Sequence, residues 1–210
     1  MKIVVIATDE LRSELSAQGI REAVTVDWVS DIARVADHDA DVCIDLLFPE
    51  NPEERVKILQ RNRCKLVLVN DVAGAGENLP EWFIRINGWP GFLKRVVIEA
   101  AGKQETNQLF AAEVVACFNK RIEWTTDEPG FITARIVSMI INEAYFALGE
   151  QVSTKDEIDI AMKTGTLYPY GPFEWCDLIG VKNVHGLLHK LSKADSRYQS
   201  AELLTTEADS

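Results

Sequence analysis

Short apolar runs alternate with polar, helix-forming segments through the first part of the chain. Runs rich in Val, Ile and Leu predict β-strands over residues 2–7, 23–28, 41–48 and 65–70. The segments between them predict helices over residues 9–18, 30–36 and 53–60. This alternation of strands and helices predicts an α/β domain built on a doubly wound parallel sheet.

The pattern changes after this region. Residues 71–91 combine Gly, Pro and aromatic residues without periodicity and predict an irregular segment. Further along, the chain predicts a strand over 92–100, a helix over 106–118 and a last strand over 121–125.

Every periodic segment from residue 131 onward predicts a helix. Apolar residues with a stride of four, at Ile132, Ile136, Ile140, Ala144 and Leu148, predict one buried helix face. Three further helices are predicted after it, over residues 154–165, 172–180 and 181–191, and Thr154 with Glu157 has the spacing of a capping box at the start of the first. We therefore expect an α/β domain over 1–127, an all-α domain over 128–200 and a frayed acidic tail over 201–210.

Composition narrows the classes of function. The chain has 210 residues, 47% of them apolar, and a formal net charge of −11, so a phosphate backbone or an anionic membrane surface is not an expected partner. No apolar run approaches the roughly 18 residues of a membrane-spanning helix. Because residues 1–10 lack the features of a signal peptide, we expect a cytoplasmic protein.

The cysteines and histidines do not predict a metal site. The four cysteines are far apart and fit buried apolar positions. His185 and His189 are four residues apart, but no acidic residue follows at a matching spacing.

A set of motifs in the second half resembles the C-terminal domain of 3-hydroxyacyl-CoA dehydrogenases. The matching residues are Pro129-Gly130-Phe131, Arg135, Asn142-Glu143-Ala144, Asp159, Ala161, Met162, Tyr168-Pro169, Gly171-Pro172-Phe173-Glu174 and Asp177-Leu178-Ile179-Gly180. The resemblance implies a Rossmann-like domain before these helices. It also implies a homodimer formed through the helical domain and a cleft for an acyl-CoA-type ligand. The first domain is shorter than in the family, and the missing part includes a helical insertion after the second strand.

The first turn departs from the family's nucleotide-binding pattern. In the family a glycine-rich turn after the first strand lets the backbone approach the NAD pyrophosphate. The corresponding segment, residues 5–11, has no glycine and carries Asp9 and Glu10. Asp27, at the expected end of the second strand, is a weak match to the acid that binds the ribose. We therefore expect no cofactor, or NAD only if the protein is an atypical dehydrogenase.

The catalytic pair of the family is also incomplete. The resemblance implies a histidine general base and a glutamate twelve residues later. Counting back from Glu99 places Asn87 at the histidine position, whereas an alignment on Pro90 selects Ile86. Neither residue can accept a proton at neutral pH.

Two further polar positions of the family are apolar here. Its oxygen-binding serine and asparagine correspond to Val72 and Ala134, while Asn70 keeps the asparagine of the family's loop. The aromatic residues Trp82, Phe83 and Trp89 are expected to fill space left by the shortened domain.

Three hypotheses follow. The first is a 3-hydroxyacyl-CoA dehydrogenase-like protein without NAD-dependent activity, which binds an acyl-type ligand or a protein partner. The second is a functional NAD-dependent dehydrogenase of fatty-acid metabolism with an atypical site. The third is a structural partner of a β-oxidation enzyme.

Overall fold

The computed structural model describes residues 1–74, 76 and 79–210. The prediction of irregular structure for Ala75, Glu77 and Asn78 therefore lies outside the described residues. The chain divides into two compact units, Met1–Phe131 and Ile132–Ser210. No helix in the described ranges combines the length and the apolar character needed to cross a bilayer.

The first unit is an α/β fold with a seven-stranded sheet of order β2-β1-β3-β4-β5-β6-β7. The strands are β1 Lys2–Ile6, β2 Thr25–Val29, β3 Val42–Asp45, β4 Leu66–Asn70, β5 Phe83–Ile86, β6 Val97–Ala101 and β7 Arg121–Trp124. All neighbouring strands pair in parallel except β5 and β6, which are antiparallel. The sequence prediction of a mostly parallel α/β sheet is therefore confirmed.

Helices cover this sheet on both faces. They are α1 Asp9–Leu15, α2 Pro52–Arg61 and α3 Glu105–Ala116, with 3₁₀ turns at Ile32–Asp37 and Phe48–Glu50. Alternate residues of β1 enter different apolar clusters, Val5 with Leu11 of α1 and Val4 with Leu59 of α2. This alternation is the period of two that a strand buried on both faces requires.

The second unit is entirely helical. Its helices are α4 Thr133–Gly149, α5 Lys155–Thr166, α6 Pro172–Ile179, α7 Val181–Ser192 and α8 Glu202–Ala208. The predicted all-α character is confirmed, and the predicted capping box of Thr154 and Glu157 begins α5.

Five details of the prediction are wrong. The irregular segment 71–91 contains β5, and the strand predicted from residue 92 begins at Val97. The helix predicted over 30–36 is a 3₁₀ turn capped by Asp31. The tail forms α8, whose Leu204 is fully buried. The buried face predicted for the first long helix is also displaced, because Ile136 is 54% exposed.

The terminal helix is held by Asn142 of α4. The amide Nδ2 of Asn142 donates to the carbonyl of Gln199 at 2.9 Å, and its Oδ1 accepts from the amide of Ala201 at 2.8 Å. A buried side-chain amide that satisfies both backbone groups fixes the chain just before α8. These hydrogen bonds could not be predicted from the polar sequence of residues 201–210.

Asp159 connects α5 with the start of α6. Its carboxylate accepts from the amides of Phe173 at 2.8 Å and Glu174 at 3.1 Å, and so caps α6 with a negative charge. A Cβ added to Gly171 would lie 2.3 Å from Cγ of Asp159. The Gly-Pro-Phe-Glu motif is thus explained by helix docking.

A fully buried carboxylate ends β3. Asp45 accepts two hydrogen bonds from Nη1 of Arg55, at 2.8 and 2.9 Å, and one from the amide of Leu47 at 3.0 Å. Burial raises the pKa of Asp45 to about 6, while the attraction of Arg55 acts in the opposite direction.

This pKa predicts a specific pH dependence of stability. Because the folded-state pKa of Asp45 lies above the 3.8 of an unperturbed aspartate, its contribution to stability is greatest below about pH 4 and is lost as the pH rises through about 6. We expect the free energy of unfolding of the wild type, minus that of Asp45→Asn, to fall between pH 4 and pH 6 in urea titrations. A difference that rises over this range would mean that the attraction of Arg55 exceeds the cost of burial.

Candidate functional site

The antiparallel pairing of β5 with β6 places Asn87 opposite Glu99. The backbone amide of Asn87 donates to the carbonyl of Glu99 at 2.9 Å. The side-chain Nδ2 of Asn87 donates to Oε2 of Glu99 at 3.0 Å. Both residues are buried, at 2% and 8% exposure. The spacing of twelve residues therefore gives a side-chain contact, as a pair acting together would need.

Asn70 holds the neighbouring strand ends together. It is the last residue of β4, and its Nδ2 donates to the carbonyl of Leu46, which follows β3, at 3.1 Å. Its Oδ1 accepts from the amide of Gly88 at 3.0 Å. Asn70 thus links the end of β3 to the residue that follows Asn87, and so determines where the chain leaves β5.

Glu14 and Lys120 anchor the segment between Asn87 and Glu99. Glu14 of α1 accepts from the amide of Gly91 with both oxygens, at 2.8 and 2.9 Å. The buried Nζ of Lys120 donates to the carbonyl of Leu93 at 2.6 Å and to that of Arg95 at 2.8 Å. Burial lowers the pKa of Lys120, which the nearby Glu14 partly offsets. Sequence reasoning missed both residues because their partners are distant in sequence.

Arg85 fixes the segment that follows β4. Its guanidinium is 1% exposed and donates to the carbonyl of Asp71 at 2.8 and 3.0 Å. It also contacts the carbonyl of Gly74 and pairs with Asp127, while the ring of Phe131 lies 5.0 Å below it. A buried arginine within a strand was not predicted, since charged residues are rarely buried without such partners.

The first turn has the geometry of an ordinary capped helix. Thr8 precedes α1, and its hydroxyl accepts from the amide of Leu11 at 3.3 Å. Asp9 and Glu10 form the first helical turn of a helix of seven residues. Hydrogen bonds from its own amide and from Thr8 lower the pKa of Glu10. No residue from 5 to 11 has a positive φ, so the tight glycine turn of a nucleotide-binding loop is not formed there.

Asp27 lies within β2 and not at its end, so that part of the prediction is wrong. Its Oδ2 is 3.0 Å from Nδ1 of His38. At the carboxyl end of β2 the acid is Asp31, which caps the following 3₁₀ turn by accepting from the amide of Ala33 at 2.9 Å. The assignment of Asp27 to a ribose stays a prediction.

The apolar and aromatic positions are buried, except that Trp82 is half-buried. Val72 is 1% exposed, and in the second unit Ala134 is fully buried. Trp82 and Phe83 are in edge-to-face contact, with ring centroids 4.8 Å apart, and pack with the cluster on one face of the sheet. Trp89 is 3% exposed. The expectation that these rings fill space fits their burial.

Similarity to known proteins agrees with the motifs. The C-terminal domain of 3-hydroxyacyl-CoA dehydrogenases matches residues 130–209. Residues 130–209 are therefore similar to the helical domain of that family. A 3-hydroxybutyryl-CoA dehydrogenase of Bradyrhizobium diazoefficiens is 36% identical over 135 residues, which are 62% of this chain and 46% of that protein. A 3-hydroxyadipyl-CoA dehydrogenase of Escherichia coli is 38% identical over 91 residues, 42% of this chain and 19% of that protein.

The fold of the dehydrogenases extends over the whole chain. The crystal structure of (S)-3-hydroxybutyryl-CoA dehydrogenase from Ralstonia eutropha superposes with a TM-score of 0.72 at 19% identity, covering 98% of this chain and 92% of that one. FadB2 of M. tuberculosis gives 0.73 at 15% identity, covering 99% and 93%. In the sequence comparisons, the chain spans less than half the length of the B. diazoefficiens and E. coli proteins. The protein is therefore 3-hydroxyacyl-CoA dehydrogenase-like in fold and in its helical motifs.

The packing around Asn70 gives a test of the site's architecture. A Cβ on Gly88 would lie 2.7 Å from Cγ of Asn70. We expect Gly88→Ala to reduce the free energy of unfolding by about 1–3 kcal/mol in urea denaturation, because Asn70 must move from its two backbone partners.

Gly165→Ala is the matched control for this substitution. Gly165 lies in α5, and a Cβ there would meet no heavy atom within 4 Å. The control should leave stability unchanged or raise it by up to about 1 kcal/mol. Equal stability of the Gly88→Ala variant and the wild type would show that Asn70 does not determine the position of Gly88.

Proposed function

We propose that this chain is a 3-hydroxyacyl-CoA dehydrogenase-like protein that does not transfer hydride to NAD and instead binds an acyl-type ligand or a protein partner. The observation that carries the proposal is the hydrogen bond between Asn87 and Glu99. The position that the family resemblance gives to the proton-accepting histidine is occupied by an amide.

An amide at this position removes the general base. Oxidation of a 3-hydroxyl group needs a group that accepts the hydroxyl proton as the hydride leaves. The Nδ2 of Asn87 is a donor, and its Oδ1 has negligible basicity at neutral pH. Glu99 is positioned by Asn87 as it would be by a histidine, but without a histidine between it and a substrate it cannot complete the relay.

The nucleotide turn supports the same proposal independently. NAD binding in this fold needs a close approach of the pyrophosphate to the backbone after β1. Here Thr8 already caps α1, and the carboxylates of Asp9 and Glu10 would repel a diphosphate. Two separate requirements of the reaction are therefore missing, one for the cofactor and one for the proton.

The proposal of an acyl-type ligand rests on the similarity to the curated relatives and on the position of Asn70. The curated relatives are named for CoA esters, and the carboxyl ends of β3, β4 and β5 carry the polar side chain of Asn70 beside Asn87. Ligands of open α/β sheets bind at such strand ends.

A homodimer through the second unit is proposed from the solvent-facing side of α4. Ile132 and Ile136 are about half exposed, and Phe146 is 40% exposed. These residues, with the partly exposed Met139 and Ile140, form one stripe at helical spacing. Such a stripe is self-complementary, as a twofold interface requires.

Twofold packing of two α4 helices also matches their charges. An antiparallel crossing at Met139 would place Ile132 opposite Phe146 of the second copy. The same crossing would bring Arg135 close to Glu143 of that copy, so opposite charges would meet beside the apolar stripe.

Two alternatives remain open. An NAD-dependent dehydrogenase with an atypical site is favoured by the names of the relatives and by the retained Asn70 and Glu99. A structural partner of a β-oxidation enzyme would use an exposed apolar surface, for which the α4 stripe is available.

A thermal-shift titration distinguishes the proposed protein without NAD-dependent activity from an active NAD-dependent dehydrogenase. We expect neither NAD nor NADH to raise the melting temperature, whereas a ligand at 100 times its dissociation constant would add about 2.7 kcal/mol. The R. eutropha enzyme serves as the positive control, and acetoacetyl-CoA is titrated separately. Stabilisation by NADH would contradict the proposal and favour the active dehydrogenase.

Asn87→His tests whether the two missing requirements are independent. The substitution supplies an imidazole beside Glu99 but leaves the turn at Thr8 unchanged. In an assay that contains NAD and 3-hydroxybutyryl-CoA, we expect the variant to produce no NADH, as measured by its absorbance, because NAD does not bind. Measurable turnover in this variant would show that the turn accepts NAD.

The dimer is tested by Ile136→Glu. A carboxylate in the middle of the α4 stripe should convert a dimer to a monomer at micromolar concentration, as measured by light scattering, because burying an unpaired charge is costly. Leu109→Glu is the matched control, since Leu109 is 64% exposed on α3 and lies outside the stripe. A monomeric wild type, or equal disruption by Leu109→Glu, would reject this interface.

A further inference from the structure

Helix α7 presents two histidines on its solvent-facing side. His185 and His189 are one turn apart, with ring centroids separated by 6.2 Å and ring planes inclined by 31°. The other side of the helix is fixed in the interior by four buried residues, Val184, Leu187, Leu188 and Leu191. The backbone that carries the two imidazoles is thus held in place.

The spacing suits chelation of one metal ion. Residues at positions i and i+4 of a helix share a face, and two histidines at this spacing form the helical half of the zinc sites of metalloproteases. Rotation of the two side chains can bring one nitrogen of each ring to about 2.0–2.1 Å from a common ion. His189 is exposed and His185 is half-buried, so both rings reach the solvent.

We propose that His185 and His189 together bind one divalent transition-metal ion, such as Zn²⁺, Ni²⁺ or Cu²⁺, with water completing the coordination. Residues 1–74, 76 and 79–210 contain no group of three or more His, Cys, Asp or Glu side chains arranged for a metal. The site therefore has two protein ligands, and the ion exchanges with solvent.

The type of ligand determines which ions are selected. No acidic residue occurs between Asp177 and Asp195. Hard cations such as Mg²⁺ and Ca²⁺ depend on oxygen ligands, which two imidazoles do not supply. Ions that form strong bonds to imidazole nitrogen are retained, with Cu²⁺ binding more tightly than Ni²⁺ or Zn²⁺.

The test is calorimetric titration of the full chain with Zn²⁺ and with Ni²⁺. The variants are His185→Gln, His189→Gln and the double variant, and His38→Gln is the control that removes the remaining histidine. We expect each single variant to weaken binding by about tenfold or more. The wild type should bind one ion per chain, and the double variant should bind more weakly than either single variant because it keeps no imidazole ligand. His38→Gln should bind as the wild type does.

Three results would overturn the proposal. Two ions bound per wild-type chain, with one ion bound at unchanged affinity in each single variant, would mean two independent single-histidine sites. Unchanged binding in the double variant, or a loss in His38→Gln, would place the ion elsewhere. Equal binding of Mg²⁺ and Zn²⁺ would exclude imidazole ligation. Thermal unfolding without metal should be the same for the wild type and for the His185 and His189 variants, so that any loss of binding is attributable to the ligands.

Discussion

The antiparallel pairing of β5 with β6 determines which side chains meet at the candidate site of the first unit. All earlier strands run in one direction, and this single reversal brings two residues twelve positions apart into direct opposition. The same reversal creates the connection that Glu14 and Lys120 hold from two sides. The side chains of Asn87 and Glu99 therefore meet at the end of β5, where Asn87 donates to Glu99.

Much of the fold could be predicted because its local signals agree with its tertiary contacts. The β-branched runs of β1 and β4 are strands buried on both faces, which is how such runs are used in parallel sheets. The Thr154 and Glu157 capping box is a local interaction, and it begins α5 as its spacing indicates. The contact of Asn87 with Glu99 could be anticipated only through the family resemblance, which implies a pair of residues twelve positions apart.

The incorrect predictions of secondary structure arise where contacts with residues distant in sequence override the local preference. Strand β5 contains Arg85, which argues against a buried strand until the carbonyls around its guanidinium are known. Residues 92–96 begin with the apolar pair Phe92 and Leu93, which imitates a strand but packs as a loop tied to Lys120. The polar tail forms a helix because Asn142, some 60 residues earlier, satisfies the backbone before it. None of these partners can be found by periodicity.

The contact between Asp159 and Gly171 limits how this region can change over evolutionary time. The carboxylate occupies the space that any side chain at position 171 would need, so the glycine cannot be replaced while the aspartate remains. Loss of the aspartate first would leave the amides of Phe173 and Glu174 without their acceptor. Each order of replacement passes through a less stable intermediate, and the two positions are therefore expected to persist together in descendants that have lost every catalytic residue.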